Sequence, residues 1–179
     1  RKENITGIDS IEDVLPLLFD HRVYKNYPLS IIEKRDINKL NSWLDRLTTF
    51  ELSKVDLTGL TTIDGWLDRL DEFGMLVGHS SGTTGKLSFV PRSSVELPVF
   101  RRSYYEAQRA TTGFDAFNDR IETFFPGYRG GHQMMMKTLT LMNIPAAGGP
   151  EHYHTLYQTH LSADLLSLAG RMQAAEDRG

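Results

Sequence analysis

The residues best suited to chemistry form one run: Gly78-His79-Ser80-Ser81-Gly82-Thr83-Thr84-Gly85-Lys86-Leu87-Ser88. From Ser80 to Lys86 every side chain is small, hydroxylated, absent or cationic. Glycines let a main chain take positive φ and approach a ligand without a Cβ in the way. Backbone N–H groups and the hydroxyls of Ser80, Ser81, Thr83 and Thr84 can then converge on one concavity, with Lys86 adding a mobile positive charge at its rim. In chemical terms this is a cradle for a polyphosphate, whose many acceptor oxygens and negative charges need such partners. A short Ser/Gly hairpin loop of no function has the same composition, and only the order of the residues speaks against it. A Walker A loop requires Gly, four residues, Gly-Lys and then Ser or Thr. Here Ser80 holds the first glycine position and Leu87 follows Lys86, so that pattern fails at both ends.

The string Ser80-Ser81-Gly82-Thr83-Thr84-Gly85-Lys86 resembles the phosphate loop of adenylate-forming enzymes. That superfamily includes acyl-coenzyme A synthetases, luciferase and the adenylation domains of peptide synthetases. Their loop usually continues Pro-Lys-Gly, whereas Leu87-Ser88-Phe89 follow here, so the second loop lysine and the last glycine are missing. This departure is similar to the phenylacetate–coenzyme A ligase branch, near which the acyl-protein synthetases of bacterial bioluminescence belong. The approach Tyr24-Lys25-Asn26-Tyr27-Pro28 also resembles the helical lead-in of that branch.

The resemblance implies a two-step reaction. ATP, with magnesium, and a carboxylic acid give an acyl-adenylate and pyrophosphate, and a thiol, expected to be that of coenzyme A, then takes the acyl group. It implies that Ser80, Ser81, Gly82, Thr83, Thr84, Gly85 and Lys86 grip the β- and γ-phosphates, with Lys86 acting in catalysis. Arg92 lies within reach of the same phosphates or serves as a surface residue. In Phe124-Phe125-Pro126-Gly127-Tyr128-Arg129-Gly130-Gly131-His132, it places Tyr128 and His132 against the acyl pocket, against the plainer reading of a strand end with a glycine turn. An aromatic-Gly-x-Thr-Glu segment, a ribose-binding Asp and a C-terminal domain with a catalytic Lys are not visible. The expected partner is therefore the rest of a parent adenylation domain, of which this chain is the N-terminal portion, inactive alone.

The elements that must position these residues read as follows. A helix capped by Asp9 or Ser10 runs to about Arg22, and a turn-rich connection spans Tyr24 to Ser30. Asp36 caps a second helix with Ile37, Leu40, Trp43, Leu44 and Leu47 inward; a third follows Thr62 with Ile63, Trp66, Leu67 and Leu70 inward. Trp-Leu-Asp-Arg-Leu occurs at 43–47 and again at 66–70; Asp45/Arg46 and Asp68/Arg69 read as solvated faces. Met75-Leu76-Val77 and Leu87-Ser88-Phe89-Val90 read as strands around the loop, the second ended by Pro91. Ser94 caps a helix over 95–110, and Ile121 to Phe125 is a strand closed by Pro126-Gly127. Met134 to Met142 is ambiguous, and Ile144 to Pro150 is a loop. Ser162 caps a last helix over about 163–176, with Leu165, Leu166, Leu168, Ala169 and Met172 inward. The expectation is an α/β fold: a helical N-terminal segment over 1–74, then an α/β subdomain over 75–179 carrying the loop.

Composition bounds the alternatives. The chain has 179 residues, 40% hydrophobic and 24% charged, with a net charge of −3. That is ordinary globular usage, and no basic block suits duplex nucleic acid. There is no Cys, which excludes a thiolate metal site and a Cys nucleophile and suits a cytoplasmic setting. No apolar run is long enough to span a bilayer. His152, His154 and His160 lack zincin spacing and read as loop or surface residues, so no metal site is expected.

Overall fold

The structure, a computed structural model, describes residues 7, 9–10, 12, 20–83 and 85–177. Most of the helix expected from Asp9 or Ser10 onward, and Thr84 of the loop, lie outside the described residues. After a 3-10 turn at His21–Lys25, the chain forms α1 (Leu29–Glu33), α2 (Ile37–Asp45) and α3 (Ile63–Glu72). Asp36 accepts from Lys39 N at 3.1 Å, and Thr62 from Gly65 N at 3.1 Å, so both expected caps form. The short α1 occupies part of what the sequence presents as a bare connection, because Ile31 and Ile32 find places in the core.

The strands β1 (Met75–His79) and β2 (Phe89–Ser93) pair antiparallel, from Met75 opposite Ser93 to His79 opposite Phe89. Pro91 does not end β2, as the sequence suggests; it pairs opposite Val77. In a two-stranded sheet β2 has a free edge, where a missing N–H costs least.

The core runs across the change from helices to strands. Tyr27, Leu40, Trp43, Leu44, Trp66, Leu67 and Leu70 form one buried cluster with Met75, Val77, Leu87, Phe89 and Ala163. Phe89 is its hub, with ring centroids 5.4 Å from Trp66, 5.7 Å from Tyr27 and 6.3 Å from Trp43. Asn41 satisfies its own amide within this core by accepting from Trp66 Nε1 at 3.0 Å and donating to Leu52 O at 2.9 Å.

The helix α4 (Leu97–Thr112) starts two residues later than expected, after a 3-10 turn at Ser94–Glu96 capped by Ser93 rather than Ser94. Beyond it, β3 (Thr123–Gly131), α5 (Met134–Ala147) and β4 (Tyr153–Leu161) form a strand–helix–strand crossover with a parallel strand pair. β3 continues through Pro126-Gly127 instead of closing there. The register breaks between Phe125 and Tyr128, which absorbs a residue that has no N–H to donate. The ambiguous Met134 stretch is helical, and α5 carries on through Pro145 where a loop was expected. A proline there leaves the carbonyl of Leu141 without its helical donor. Arg101 supplies one, Nη2 to Leu141 O at 3.1 Å, and Tyr105 donates to the next carbonyl, Met142 O, at 2.7 Å.

The final helix, α6 (Ala163–Glu176), has the expected Ser162 cap, but its inward face is not the expected leucine stripe. Leu165, Leu168 and Met172 are exposed, while Ala163, Ser167 and Gly170 are buried. The reason is its neighbour. Asp64, in the first turn of α3, accepts from Ser162 Oγ at 2.5 Å and Ala163 N at 2.8 Å, while Asp164 accepts from Asp64 N at 3.1 Å. The two helix starts cap each other, and this holds α6 flat against the loop after β1. Only small residues fit at that distance. The architecture is thus mixed α/β with a helical lead-in; among the described residues the strands form two two-stranded sheets, bridged where His79 N donates to His132 O at 2.9 Å.

Candidate functional site

The loop joining β1 to β2 is a staple closed at its base and turned at its tip. Ser80 N donates to Ser88 O at 3.0 Å, and Ser88 N to Ser80 Oγ at 2.9 Å. The Ser80 hydroxyl oxygen therefore holds the loop together rather than facing a concavity. At the tip, Gly85 N donates to Gly82 O at 2.8 Å, and both glycines have positive φ, 73° and 81°. The tip is a turn that L side chains resist.

One side of this turn is covered. A Cβ placed on Gly170 would stand 2.1 Å from Gly82 O, and one on Gly85 would stand 3.0 Å from Ala174 Cβ. The loop main chain therefore lies directly on α6. The other side is open: Ser81 and Thr83 are exposed. The hydroxyls available to a ligand among the described residues of the tip are those two.

Lys86 is not the mobile charge expected from its side-chain chemistry. Its ammonium donates to the main-chain carbonyl of Tyr27 and sits over the Tyr27 ring, 4.4 Å from the centroid. Tyr27 in turn donates its hydroxyl to Leu87 O at 2.7 Å, deep in the core, where burial pushes the phenol pKa up. The Tyr24–Pro28 segment and the loop are thus clamped together. Burial first, and the charge of Lys25 second, push the Lys86 pKa below the usual lysine value. Lys25 and Lys86 both line an open cleft of about 630 Å³ with Asp20, Arg22, Val23 and Asn26. Nothing in the spacing of Arg22 or Lys25 along the chain places them there; Lys25 was singled out only as part of Tyr24-Lys25-Asn26-Tyr27-Pro28.

Tyr128 and His132, expected against an acyl pocket, stand on β3 and just beyond its end. Tyr128 stacks on Tyr157 across β3 and β4, centroids 4.9 Å apart. His132 is buried and built into a charged tie. Lys137 Nζ donates to Asp71 Oδ1 at 2.5 Å, Val77 O at 3.0 Å and His132 Nδ1 at 3.1 Å. That leaves the ring proton on Nε2, which donates to Asp68 Oδ1 at 2.8 Å. Asp68 is thus a partner of a buried histidine, not merely part of a solvated face. Burial pushes the Lys137 pKa down against the pull of Asp71. Neither Tyr128 nor His132 lines the apolar cavity of about 210 Å³ between the hairpin, α4 and α5, which Arg92, Lys137, Phe100 and Met142 help to wall. Arg92 turns its guanidinium toward the Phe100 ring, 5.8 Å away, rather than toward the loop.

His79 ends β1 at the mouth of the loop and is fully buried. Its Nδ1–H donates to Ser80 O at 2.7 Å, while Nε2 has no hydrogen-bond partner among the described residues. His152 and His154 share the carboxylate of Glu122, at 2.8 Å and 2.5 Å. Among the described residues no group of three His, Asp or Glu is arranged to hold a metal ion, and no helix is long and apolar enough to cross a membrane. Comparison of the chain with protein-family models, curated proteins and solved structures finds no match.

Proposed function

We propose that this chain supplies the phosphate-gripping part of an ATP-dependent ligase that activates a carboxylic acid as its acyl-adenylate. The observation that carries the reading is the Ser80–Lys86 turn: a glycine-tipped loop, backed by a helix, with Ser81 and Thr83 outward and a clamped lysine at its edge. In the reaction, a carboxylate oxygen attacks the α-phosphorus of ATP, the bond to the β-phosphate breaks, and pyrophosphate leaves with the added charge. Loop N–H groups and Lys86 offset that charge, and an already folded turn does so without reorganising. Magnesium arrives on the triphosphate in this reading. A thiol, that of coenzyme A by the resemblance, then takes the acyl group and releases AMP. The setting we assign is the cytoplasm.

A second reading, a non-catalytic interaction module with a structural Ser/Gly loop, draws on the packing of Gly82 and Gly85 against α6 and on the engagement of Lys86 with Tyr27. Carboxylate-dependent ATP–pyrophosphate exchange, measured on the complete gene product over a panel of carboxylates, separates the two. The ligase exchanges label, and Lys86→Ala slows it by about 100-fold. Exchange that is absent, or equal in Lys86→Ala, leaves the module reading standing.

A further inference from the structure

The cleft beside the loop deepens this reading. It lies between the 3-10 turn at His21–Lys25 and Lys86, and its walls carry three cationic side chains, Arg22, Lys25 and Lys86. One of them is balanced: Asp20 accepts from Arg22 Nε at 2.9 Å and from Nη2 at 2.5 Å. Among the described residues Lys25 has no ion-pair partner, and Lys86 bonds a neutral carbonyl and sits over a ring. Lys25 and Lys86 therefore line one open cleft whose carboxylate among the described residues, Asp20, is held by Arg22. Like charges that share a cleft repel unless an anion joins them. Asn26 adds an amide to the same wall. A single carboxylate would neutralise only one ammonium, whereas a diphosphate carries enough charge and acceptor oxygens for both.

We infer that this cleft seats the terminal diphosphate of a nucleoside triphosphate, and the pyrophosphate it becomes, with Lys25 and Lys86 as its two cations. The inference rests on the phosphate-gripping reading of the loop. It adds that half of the grip comes from a segment some sixty residues earlier in the chain, Lys25 lying 61 positions before Lys86 (86 − 25). Tyr27 is the link, its hydroxyl bound to Leu87 O and its carbonyl to Lys86.

Isothermal titration of the 179-residue chain with inorganic pyrophosphate, ATP and AMP, each with magnesium, tests it. Pyrophosphate and ATP bind saturably, AMP does not, and raising salt weakens both. Lys25→Gln weakens both by about tenfold, Lys25→Arg recovers most of the loss, and Lys34→Gln, outside the cleft, changes neither. A folded Lys25→Gln variant, judged by an unchanged melting midpoint, that binds pyrophosphate as the parent does overturns the inference. So does AMP binding as tightly as ATP, or no saturable pyrophosphate binding. The two proposals fail separately. Carboxylate-dependent exchange that persists in Lys25→Gln sinks the cleft and leaves the ligase. Lys25-dependent pyrophosphate binding without any exchange keeps the cleft and sinks the ligase.

Discussion

A single ring nitrogen shows how much the mouth of the loop depends on protonation. His79 is neutral as built, donating from Nδ1 to Ser80 O with Nε2 buried. Burial first pushes its pKa below 6.5, and the nearby Lys137 adds to that against the pull of the Ser80 carbonyl and Asp64. A histidine with a depressed folded pKa binds fewer protons folded than unfolded, so stability rises with pH between the two values. Its contribution is complete above the unfolded pKa of about 6.5 and is lost as pH falls below it, at up to about 1.4 kcal/mol per pH unit. Urea unfolding at pH 7.5 and 5.5 measures this, and His79→Gln flattens the slope between them. His152 acts in the opposite sense. The bond to Glu122 raises its pKa, so its contribution is present below about 6.5 and fades as pH climbs through the raised value. The two windows do not overlap, and His152→Ala alters only the upper one.

At the scale of elements, the contact between α6 and the loop sets the geometry of the site. Replacing a helical glycine by alanine ordinarily gains up to about 1 kcal/mol. At Gly170 the added Cβ meets the main-chain oxygen of Gly82 at 2.1 Å, which cannot swing aside, so the sign reverses. Gly170→Ala destabilises by about 1–3 kcal/mol in thermal or urea unfolding, while the exposed Ala169→Ser is close to neutral. A stabilised Gly170→Ala would place the loop away from α6. The helix α5 makes a parallel case. Arg101→Ala strips Leu141 O of its substitute donor and costs about 1 kcal/mol, whereas Arg102→Ala, exposed on the same helix, costs little.

The whole molecule is tied together through Phe89. This β2 residue touches Trp43 and Trp66, both in the helical lead-in, so helices and hairpin lose their support together. Phe89→Ala costs about 3–5 kcal/mol. Tryptophan fluorescence, which reports the lead-in, and far-ultraviolet circular dichroism, which reports the whole chain, fall at the same lowered midpoint. Fluorescence that holds at the parent midpoint would show the lead-in to stand alone.

Local signals were enough for the elements whose pattern is set by near neighbours. Asp36 and Thr62 announce their helices because a cap acts within three residues, and Ile63, Trp66, Leu67 and Leu70 keep helical spacing because they share one core. The paired strands around a Ser/Gly loop and the mixed α/β class were legible for the same reason. What the string of residues did not carry was set by partners distant along the chain. Pro145 reads as a helix breaker until Arg101 arrives to bond the carbonyl it frees, and the leucines of α6 read as its inner face until the loop backbone claims the glycine side. Lys86 reads as mobile until Tyr27 holds it. The loop's composition came from sequence; whether its hydroxyls, carbonyls and charges face a helix or open space was decided by tertiary packing, because backbone contacts leave no mark on residue type beyond a glycine.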